Sequence, residues 1–297
     1  MAGQSQTVHS GEPSLVVRRA SAADAEVCGR ICFEAFTVLA NRHNFPPDFP
    51  APEVSIAVLL AMFSHPGFYC VVAERDGKII GSNCLDERTP IAGVGPITVD
   101  ASAQNRAAGR ALMQAVLTRA VERKFAGVRL VQAAYHNRSL SLYAKLGFVV
   151  REPLSCMQGP AMKKMLPGYS IRPAVARDLA ACNDLCLRVH GHERGGEVQD
   201  SIQHGTATVA ERDGRVTAYA SSMAFSGHAV GETNEDLKAL IAAAAAFQGP
   251  GILVPSRNAE LFRWCLESGL RVVQPLTLMT MGLYNEPAGA YLTSILF

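Results

Sequence analysis

A ten-residue segment occurs twice in this chain, and it limits the possible folds more than any other feature. The sequence VAERDGKIIG begins at Val72, and VAERDGRVTA begins at Val209. In each copy two short runs flank Asp-Gly, a pattern typical of two antiparallel strands joined by a tight turn. A repeat of this kind indicates that one structural unit is present in two copies.

Matched segments also lie on both sides of each copy. VVRRASAADAEVCGRIC precedes the first copy and SIRPAVARDLAACNDLC precedes the second, and both are typical of a strand, a turn and a helix. LYAKLGFVV follows the first copy and WCLESGLRVV follows the second. Because the segments recur in the same order, we predict two related domains at residues 14–165 and 169–297. A boundary is expected at Lys163–Ser170, where Pro and Gly interrupt the chain.

The first copy has a mixed α/β pattern in which a hairpin precedes a central strand. Apolar periodicity predicts a mixed (α+β) fold in each domain, with a mixed central sheet flanked by helices. We expect helices at 22–36, 53–63, 107–124 and 138–146, and strands at 15–18, 68–74, 78–85, 95–100, 127–133 and 149–152.

Composition and charge argue against several classes of protein. The formal net charge is +2 and the arginines are scattered, so no nucleic-acid partner is expected. Residues 1–13 lack the charged and apolar regions of a secretory signal. The longest apolar run, at 239–247, is about half of the ~20 residues that a membrane span needs. We therefore expect a cytoplasmic protein with no membrane partner.

The chain has eight cysteines, but their spacing does not favour a metal site. Cys28 and Cys32 lie four residues apart within a helical pattern, as do Cys182 and Cys186, and no CxxC is present. Zinc sites of the finger type use closer pairs. Buried free thiols in a reducing compartment are therefore expected, and no metal.

Small and basic residues follow the apolar segment GVGPITVD, in the stretch QNRAAGRALM from Gln104 to Met113. The first turn of a helix has free N–H groups and a partial positive charge, and small side chains let a phosphate approach them. Arg106 and Arg110 add positive charge. This junction predicts a diphosphate site, and the alternative is an ordinary strand-to-helix turn packed on the sheet.

This loop and the later NRSLSLYAKLGF resemble the GNAT superfamily of N-acetyltransferases. The family's loop is Q/R-x-x-G-x-G/A, with a leucine three residues after its last position. Both Arg106–Ala111 and Gln104–Gly109 can be aligned with it, and only the second places a leucine, Leu112, correctly. That frame puts Ala107 where the family has glycine, which would be a handicap if the backbone there has a positive φ.

The resemblance implies acetyl-CoA as co-substrate and a set of functional residues. Tyr143 would protonate the departing CoA thiolate, and the alternative is a half-buried core tyrosine. Asn137 would contact the pantetheine arm. The remaining contacts to acetyl-CoA would come from Ile97, Thr98, Val99, Gln104, Asn105, Arg106, Ala107, Ala108, Gly109 and Arg110.

The amine must attack as its free base, so a group that accepts its proton is also needed. The segment Gly93–Val99 contains no acid. Asp86 and Glu87 are nearest in sequence, and Glu87 is our choice, the alternative being a solvated turn acid. His136 and His43 are other candidates.

The insert NRHNFPPDFP is expected to select the acceptor. It is stiff and apolar, with Phe45 and Phe49 as candidate substrate contacts and Asp48 as an acid that could pair with an amine. The alternative is a rigid connector that covers the sheet edge. The expected partner is a small-molecule or peptide amine, bound by a monomer with pseudo-dimeric domains or by a homodimer.

The second copy resembles a degenerate GNAT domain with a structural or substrate-shaping role. Counted back from Gly269, its tyrosine position holds Cys265, and its helix start is acidic. The apolar tail EPAGAYLTSILF is expected to dock as a strand or to cross to the other copy.

Together, these features lead us to expect an N-acetyltransferase that acts by direct transfer. The alternatives are an acyl-CoA sensor without turnover and a nucleotide-binding protein, although G-x-G-x-x-G and Walker-type motifs are absent.

Overall fold

The structure, a computed structural model, describes residues 15–103 and 107–296. We call the chain up to residue 165 the N-terminal unit and the chain from residue 169 the C-terminal unit. The N-terminal unit contains β1 (Leu15–Arg19), α1 (Ala25–Arg42), α2 (Pro52–Ser64), β2 (Phe68–Arg75), β3 (Lys78–Asp86), β4 (Ile91–Val94), β5 (Thr98–Val99), α3 (Ala108–Glu122), β6 (Gly127–Ala133), α4 (Asn137–Lys145) and β7 (Val149–Gln158).

The C-terminal unit repeats this order of elements, except that its described residues contain no counterpart of β5 and that it ends with one more strand. It contains β8 (Ser170–Pro173), α5 (Leu179–His190), α6 (Gly195–Gln203), β9 (Thr208–Arg212), β10 (Arg215–Ala220), β11 (Ala229–Gly231), α7 (Asn234–Ala243), β12 (Ile252–Pro255), α8 (Ala259–Glu267), β13 (Arg271–Gly282) and β14 (Ala290–Leu292). The expected mixed α/β fold is confirmed.

The repeated decapeptide forms equivalent hairpins, β2–β3 and β9–β10. In each turn both the aspartate and the glycine have positive φ, 52° and 74° at Asp76-Gly77 and 53° and 76° at Asp213-Gly214. Two consecutive positive φ angles suit the right-handed twist of a hairpin, which explains the preference for Asp-Gly. The predicted hairpins are confirmed.

An ion-pair group is also repeated at the start of each unit. Arg18 donates both guanidinium ends to Asp24 at 2.9 Å, and Arg172 binds Asp178 in the same way at 2.6 and 2.8 Å. Each aspartate also accepts a backbone N–H from the residue three positions earlier. The same local solution in both units supports their origin from one duplicated unit.

One predicted strand is interrupted in the structure. The expected strand at 95–100 is absent as a unit, since β4 ends at Val94 and only Thr98 and Val99 form β5, which pairs with β3. Gly95 has a φ of +139°, and Pro96 has no N–H to donate to a neighbouring strand. The chain therefore leaves the sheet at Gly95-Pro96.

The two units share a central sheet because their last long strands are interleaved. The strand order is β1-β2-β3-β4-β6-β13-β7-β12, and a second sheet has the order β14-β11-β10-β9-β8. Strand β13 of the C-terminal unit pairs with β6 and β7, while β7 pairs with β13 and β12. Irregular chain at 159–169 joins the units, but strand pairing crosses that boundary.

The gap between β4 and β6 in the N-terminal unit differs from the equivalent gap between β11 and β12 in the C-terminal unit. In the N-terminal unit β4 pairs with β6 only from Ile91 to Gly93, so the end of β6 is paired on one side alone among the described residues. In the C-terminal unit the equivalent strands β11 and β12 are joined by the tail, since β14 pairs with β11 and Thr293 bridges Leu253. The expectation that the tail docks as a strand is confirmed.

The structure also bears on the cysteines and on helices that could span a membrane. All eight cysteines are buried and free, as expected. Within residues 15–103 and 107–296, no helix combines the length and the apolar character needed to cross a bilayer.

Candidate active site

A cavity of about 860 Å³ begins at the open gap between β4 and β6. One wall is formed by residues 94–99 and 130–133, which face each other where the two strands separate. Helices α1 and α2 form a second wall, and the C-terminal unit forms a third. The volume is within the range of small-molecule sites, which is about 300–1,000 Å³.

The backbone at the gap can bind an extended ligand. Ile97, Thr98 and Val99, which the sequence predicts as donor-binding residues, all line the cavity. Leu130–Ala133 lie opposite and have β13 on one side only. Edge strands present N–H and C=O groups that can pair with another chain of amides.

Among the described residues, no side chain caps the N-terminus of α3. The first intrahelical bond runs from Ala111 N to Ala107 O at 3.0 Å, so the N–H groups of residues 108–110 have no acceptor within the helix. Ala107 is the N-cap, has a φ of +66° and makes no side-chain capping bond. The positive φ on which the expected handicap depends is therefore present, and alanine stands in a conformation that favours glycine. Gln104, Asn105 and Arg106 lie outside the described residues.

The fold does not account for the glycine at position 109. A Cβ added there would lie 3.8 Å from Leu142 Cδ2 and 3.9 Å from Val99 Cγ2, both ordinary contact distances. A small residue that packing does not require is suited to a helix start that a ligand approaches closely. Leu112 is fully buried and Gln114 is exposed, which favours Gln104–Gly109 as the loop frame.

Tyr143 reaches the same cavity from α4. Its side chain is 7% exposed, lines the cavity and lies edge-on to Phe148, with ring centroids 6.1 Å apart. Burial raises the pKa of the phenol above its usual value of 10.0, so the hydroxyl keeps its proton. Asn137 is exposed and is not part of the cavity lining; the N-cap of α4 is His136, which lines the cavity.

Gln132 is a cavity residue that the sequence did not single out. It lies on β6, is 5% exposed, and its Oε1 accepts a hydrogen bond from Ser139 Oγ at 3.0 Å. Its Nε2 has no hydrogen-bond acceptor among the described residues. A buried amide N–H without an acceptor costs about 1–3 kcal/mol, which a bound carbonyl would relieve. No periodicity or motif marks this position in the sequence.

The structure does not bring Glu87 to the cavity. Both of its carboxylate oxygens accept from Arg119, at 2.6 and 3.0 Å, and Arg119 in turn lies 5.0 Å from the ring centre of Tyr69. Asp86 is bound to Arg88. These acids are engaged by guanidinium groups rather than free to receive a proton in the cavity.

His136 and Asp48 are among the lining residues that can accept a proton. Burial lowers the pKa of His136 below 6.5, so the imidazole is neutral near pH 7. Burial raises the pKa of Asp48 above 3.8, although its hydrogen bond from Gln274 acts in the opposite direction. His43 is not a lining residue; its ring centroid lies 5.2 Å from that of Tyr135.

The two phenylalanines predicted to bind the acceptor lie at different depths. Phe49 lines the cavity and packs against Phe36, with ring centroids 6.0 Å apart. Phe45 is not a lining residue and stacks on Tyr135 at 4.3 Å, with 16° between the ring planes. Of the two aromatic residues of the insert, Phe49 therefore faces the cavity and Phe45 does not.

The C-terminal unit supplies polar wall residues that are already paired. Asp200 accepts from Arg88 of the other unit at 2.9 Å and lies 3.3 Å from His65 Nε2. Glu197 is buried beside Arg194 and His228. Desolvation opposes the charge on Glu197, but the Arg194 guanidinium and the hydrogen-bonded His228 outweigh it and hold its pKa well below the usual value of 4.5.

Within residues 169–296, the positions that correspond to the α3 N-terminus and to Tyr143 are occupied differently. At the start of α7, Asp236 Oδ2 accepts the Thr233 backbone N–H at 2.9 Å and its hydroxyl at 2.5 Å, while Thr233 Oγ1 accepts from Asp236 N. This capping box places an acid where a phosphate would bind. Cys265 occupies the position of Tyr143 and is fully buried in the core.

Comparisons with known proteins agree with this geometry. Residues 36–148 match the family model described as the Acetyltransferase (GNAT) family. Among curated proteins, no sequence match to the chain was found.

Three solved structures share the fold over nearly the whole chain. A candidate acetyltransferase from Pyrococcus horikoshii is 16% identical with a TM-score of 0.73, over 97% of this chain and 98% of that one. A GCN5-related N-acetyltransferase from Sphaerobacter thermophilus is 16% identical with a TM-score of 0.61, over 92% and 96%. A tandem GNAT protein from the clavulanic acid biosynthesis pathway is 14% identical with a TM-score of 0.55, over 91% and 98%. Residues 36–148 therefore match the GNAT acetyltransferase family, whose members use acetyl-CoA, and the chain shares its fold with a tandem GNAT protein.

Proposed function

We propose that the N-terminal unit, residues 14–165, transfers an acetyl group from acetyl-CoA to a primary amine by direct attack in a ternary complex. The C-terminal unit, residues 169–297, is proposed to bind no acyl donor and to shape the acceptor side of the cavity. One observation carries this proposal: a single cavity joins the open strand gap, Tyr143 and two proton-accepting side chains.

The donor would lie between the α3 N-terminus and the strand gap. Its diphosphate would accept from the N–H groups of Ala108, Gly109 and Arg110, with Gln104–Ala107 around it. The pantetheine amides would pair with Ile97, Thr98 and Val99, and Asn137 would contact this arm from the rim. Gln132 Nε2 would supply one more donor. This set is supported because Ile97, Thr98, Val99 and Gln132 line the cavity. Residues 107–110 are not lining residues, but a Cβ on Gly109 would lie 3.9 Å from Cγ2 of Val99, which is one.

The chemistry requires one acid and one base. The amine nitrogen attacks the thioester carbonyl, the C–N bond forms, and the C–S bond then breaks to release a thiolate. Tyr143 would donate its proton to that thiolate, since burial keeps the phenol protonated. The amine proton would leave to His136 or Asp48, which replace Glu87 as candidate bases because they face the cavity.

The test combines donor binding with turnover. Acetyl-CoA should bind the purified protein, and release of the CoA thiol should depend on an added primary amine. Tyr143→Phe should keep donor binding and lose most of the turnover. Binding with no amine-dependent release by any amine, unaffected by Tyr143→Phe, would instead favour an acyl-CoA sensor. No binding at all would remove the proposal.

A further inference from the structure

We propose that the acceptor is an apolar primary amine whose ammonium group binds Asp48 and whose hydrocarbon body lies against α1, α2 and the C-terminal tail. This inference rests on the proposed function and adds the chemical class of the acceptor to it. It is carried by an apolar wall, by one acid without a cationic partner, and by the second unit's contribution to both.

The apolar wall is formed by helix faces that are open to the cavity. Val38 of α1 is 49% exposed, and Val54 and Val58 of α2 are 41% and 37% exposed, yet all three line the cavity. Helix α2, PEVSIAVLLAMFS, has Glu53 as its one charged residue. The open side of a surface helix is normally polar, so apolar side chains facing a cavity indicate an apolar ligand.

The opposite wall is supplied by the second unit. Phe225, Ile295 and Leu296 line the same cavity. Leu296 packs against the same core cluster of the N-terminal unit as Phe36 and Phe49 do. After β14 the tail therefore continues into the cavity, where it closes the apolar surface from the side of the C-terminal unit.

Charge complementarity selects the polar group of the ligand. Among the described acids of the wall, Asp200 is paired with Arg88 and Glu197 with Arg194. Asp48 forms no ion pair in the described part of the chain, and the group bound to it is the neutral amide of Gln274, at 2.8 Å from Oδ1. A partly buried carboxylate with a neutral partner is complementary to an ammonium ion.

Gln274 of β13 would act as a positioning residue for this acid. It is 2% exposed, and its amide is held at both ends: Nε2 donates to Asp48, and Oε1 accepts from Tyr135 OH at 3.0 Å. The fixed amide orients one carboxylate oxygen and leaves the other, Oδ2, for the acceptor. The acceptor site is thus built from both units.

The ammonium–Asp48 pair also accounts for the first proton that the acceptor nitrogen must lose. An N–H bond of the ammonium breaks and an O–H bond forms on Asp48, which leaves a neutral amine and a neutral carboxylic acid. Desolvation disfavours both charges of the original pair, and it raises the pKa of Asp48 in the structure. The neutral amine can then attack the thioester, and the second proton, which the nitrogen loses as the amide forms, would pass to His136, which also lines the cavity.

The experiment uses a series of n-alkylamines from ethylamine to octylamine with acetyl-CoA, beside ethanolamine and putrescine. We expect KM for the amine to fall by up to about fourfold with each methylene that enters the apolar wall. Ethanolamine and putrescine should be poor acceptors. The same order should appear when hexylamine and ethanolamine are titrated into the protein without acetyl-CoA.

Variants connect this preference to the proposed residues. Asp48→Asn should raise KM for hexylamine tenfold or more, and Gln274→Met should raise it less, both without changing KM for acetyl-CoA. Val58→Ser should raise KM for hexylamine several-fold. Matched controls should show no change: Asp213→Asn in an exposed turn, and Leu60→Ser, which is 44% exposed on α2 but does not line the cavity.

Three results would overturn the inference while donor binding remains intact. Ethanolamine or putrescine could match hexylamine, or Asp48→Asn could leave KM for every amine unchanged. A third is competition between octanoyl-CoA and hexylamine for one site, which would assign the apolar wall to the acyl chain. Failure of acetyl-CoA to bind contradicts the proposed function instead, and amine titration without acetyl-CoA separates the two cases.

Discussion

Helices α3 and α7 occupy equivalent places in the two units, but only the first turn of α7 is capped by a side chain. Helix α3 begins after Ala107 with no side-chain cap and with Gly109 in its first turn. Helix α7 begins with a Thr233–Asp236 capping box and a buried acid. The first arrangement leaves N–H groups for an anion, and the second satisfies them within the chain.

The strand gap and the position of Tyr143 also differ between the two units, and in both cases only the N-terminal unit is open to a ligand. The gap beside β6 is open, while the equivalent gap beside β12 is filled by the tail. Tyr143 lines a cavity, while Cys265 is buried in the core. The hairpins and the repeated ion pairs are shared by both units. Divergence is thus found at the positions that would handle a ligand.

The largest expected effect concerns Tyr143. Tyr143→Phe should lower kcat by about 10²–10⁴-fold, which is the usual contribution of a general acid, and should leave acetyl-CoA binding unchanged. Cys265→Ala, at the equivalent position, should leave kcat per folded molecule unchanged. Steady-state kinetics measure both, and an equal loss in the two variants would mean that the comparison fails at this position.

Strand β14 of the C-terminal unit should matter chiefly for stability. Leu292 is 3% exposed and lies in the core of that unit, so Leu292→Ala should lower the free energy of unfolding by about 2–5 kcal/mol. Leu266→Ala, on an exposed face of α8, should change it by about 0.5 kcal/mol or less. Urea unfolding checks both values, and equal effects would show that the filled gap adds no stability.

Gly109 should matter for the donor and not for the fold. Gly109→Ala adds a methyl group that meets only ordinary contacts, so the unfolding midpoint should hold or rise slightly, while acetyl-CoA affinity should fall about tenfold. Titration calorimetry measures the affinity. Unchanged affinity would mean that the helix start does not approach the donor.

The smallest expected effect concerns Ala107, with its φ of +66°. A left-handed non-glycine residue costs about 1–2 kcal/mol, and glycine's greater freedom in the unfolded chain offsets part of the gain. Ala107→Gly should therefore stabilise the protein by about 0.5–1 kcal/mol. Ala111→Gly, inside the same helix, should destabilise it by about 1 kcal/mol. A loss of stability in Ala107→Gly would contradict the assigned backbone conformation.

Local features of the fold could be predicted from the sequence, and long-range ones could not. The Asp-Gly turns fix their hairpins through backbone conformation alone, and Gly95-Pro96 already contained the signal for the interruption after β4. The insertion of β13 between β6 and β7 depends on pairing between residues more than a hundred positions apart. No local pattern specifies that choice.

The candidate site was predictable only in part, for the same reason. Tyr143 and 97–99 follow a motif, and they do reach the cavity. Glu87 was chosen by sequence proximity, and its engagement by Arg119 is a contact with another element. Gln274 is a polar residue in the apolar strand RVVQPLTLMT, a signal that could have drawn attention to it. Its contact with Asp48, 226 positions away in the chain, could not have been inferred.

The most direct test of the account is the stoichiometry of acetyl-CoA binding, measured by calorimetric titration of the full chain. The difference between the units predicts one site per chain, weakened by Gly109→Ala and unchanged by Asp236→Asn at the start of α7. Two sites per chain, or one site that responds to Asp236→Asn and not to Gly109→Ala, would contradict the assignment of the donor to the N-terminal unit.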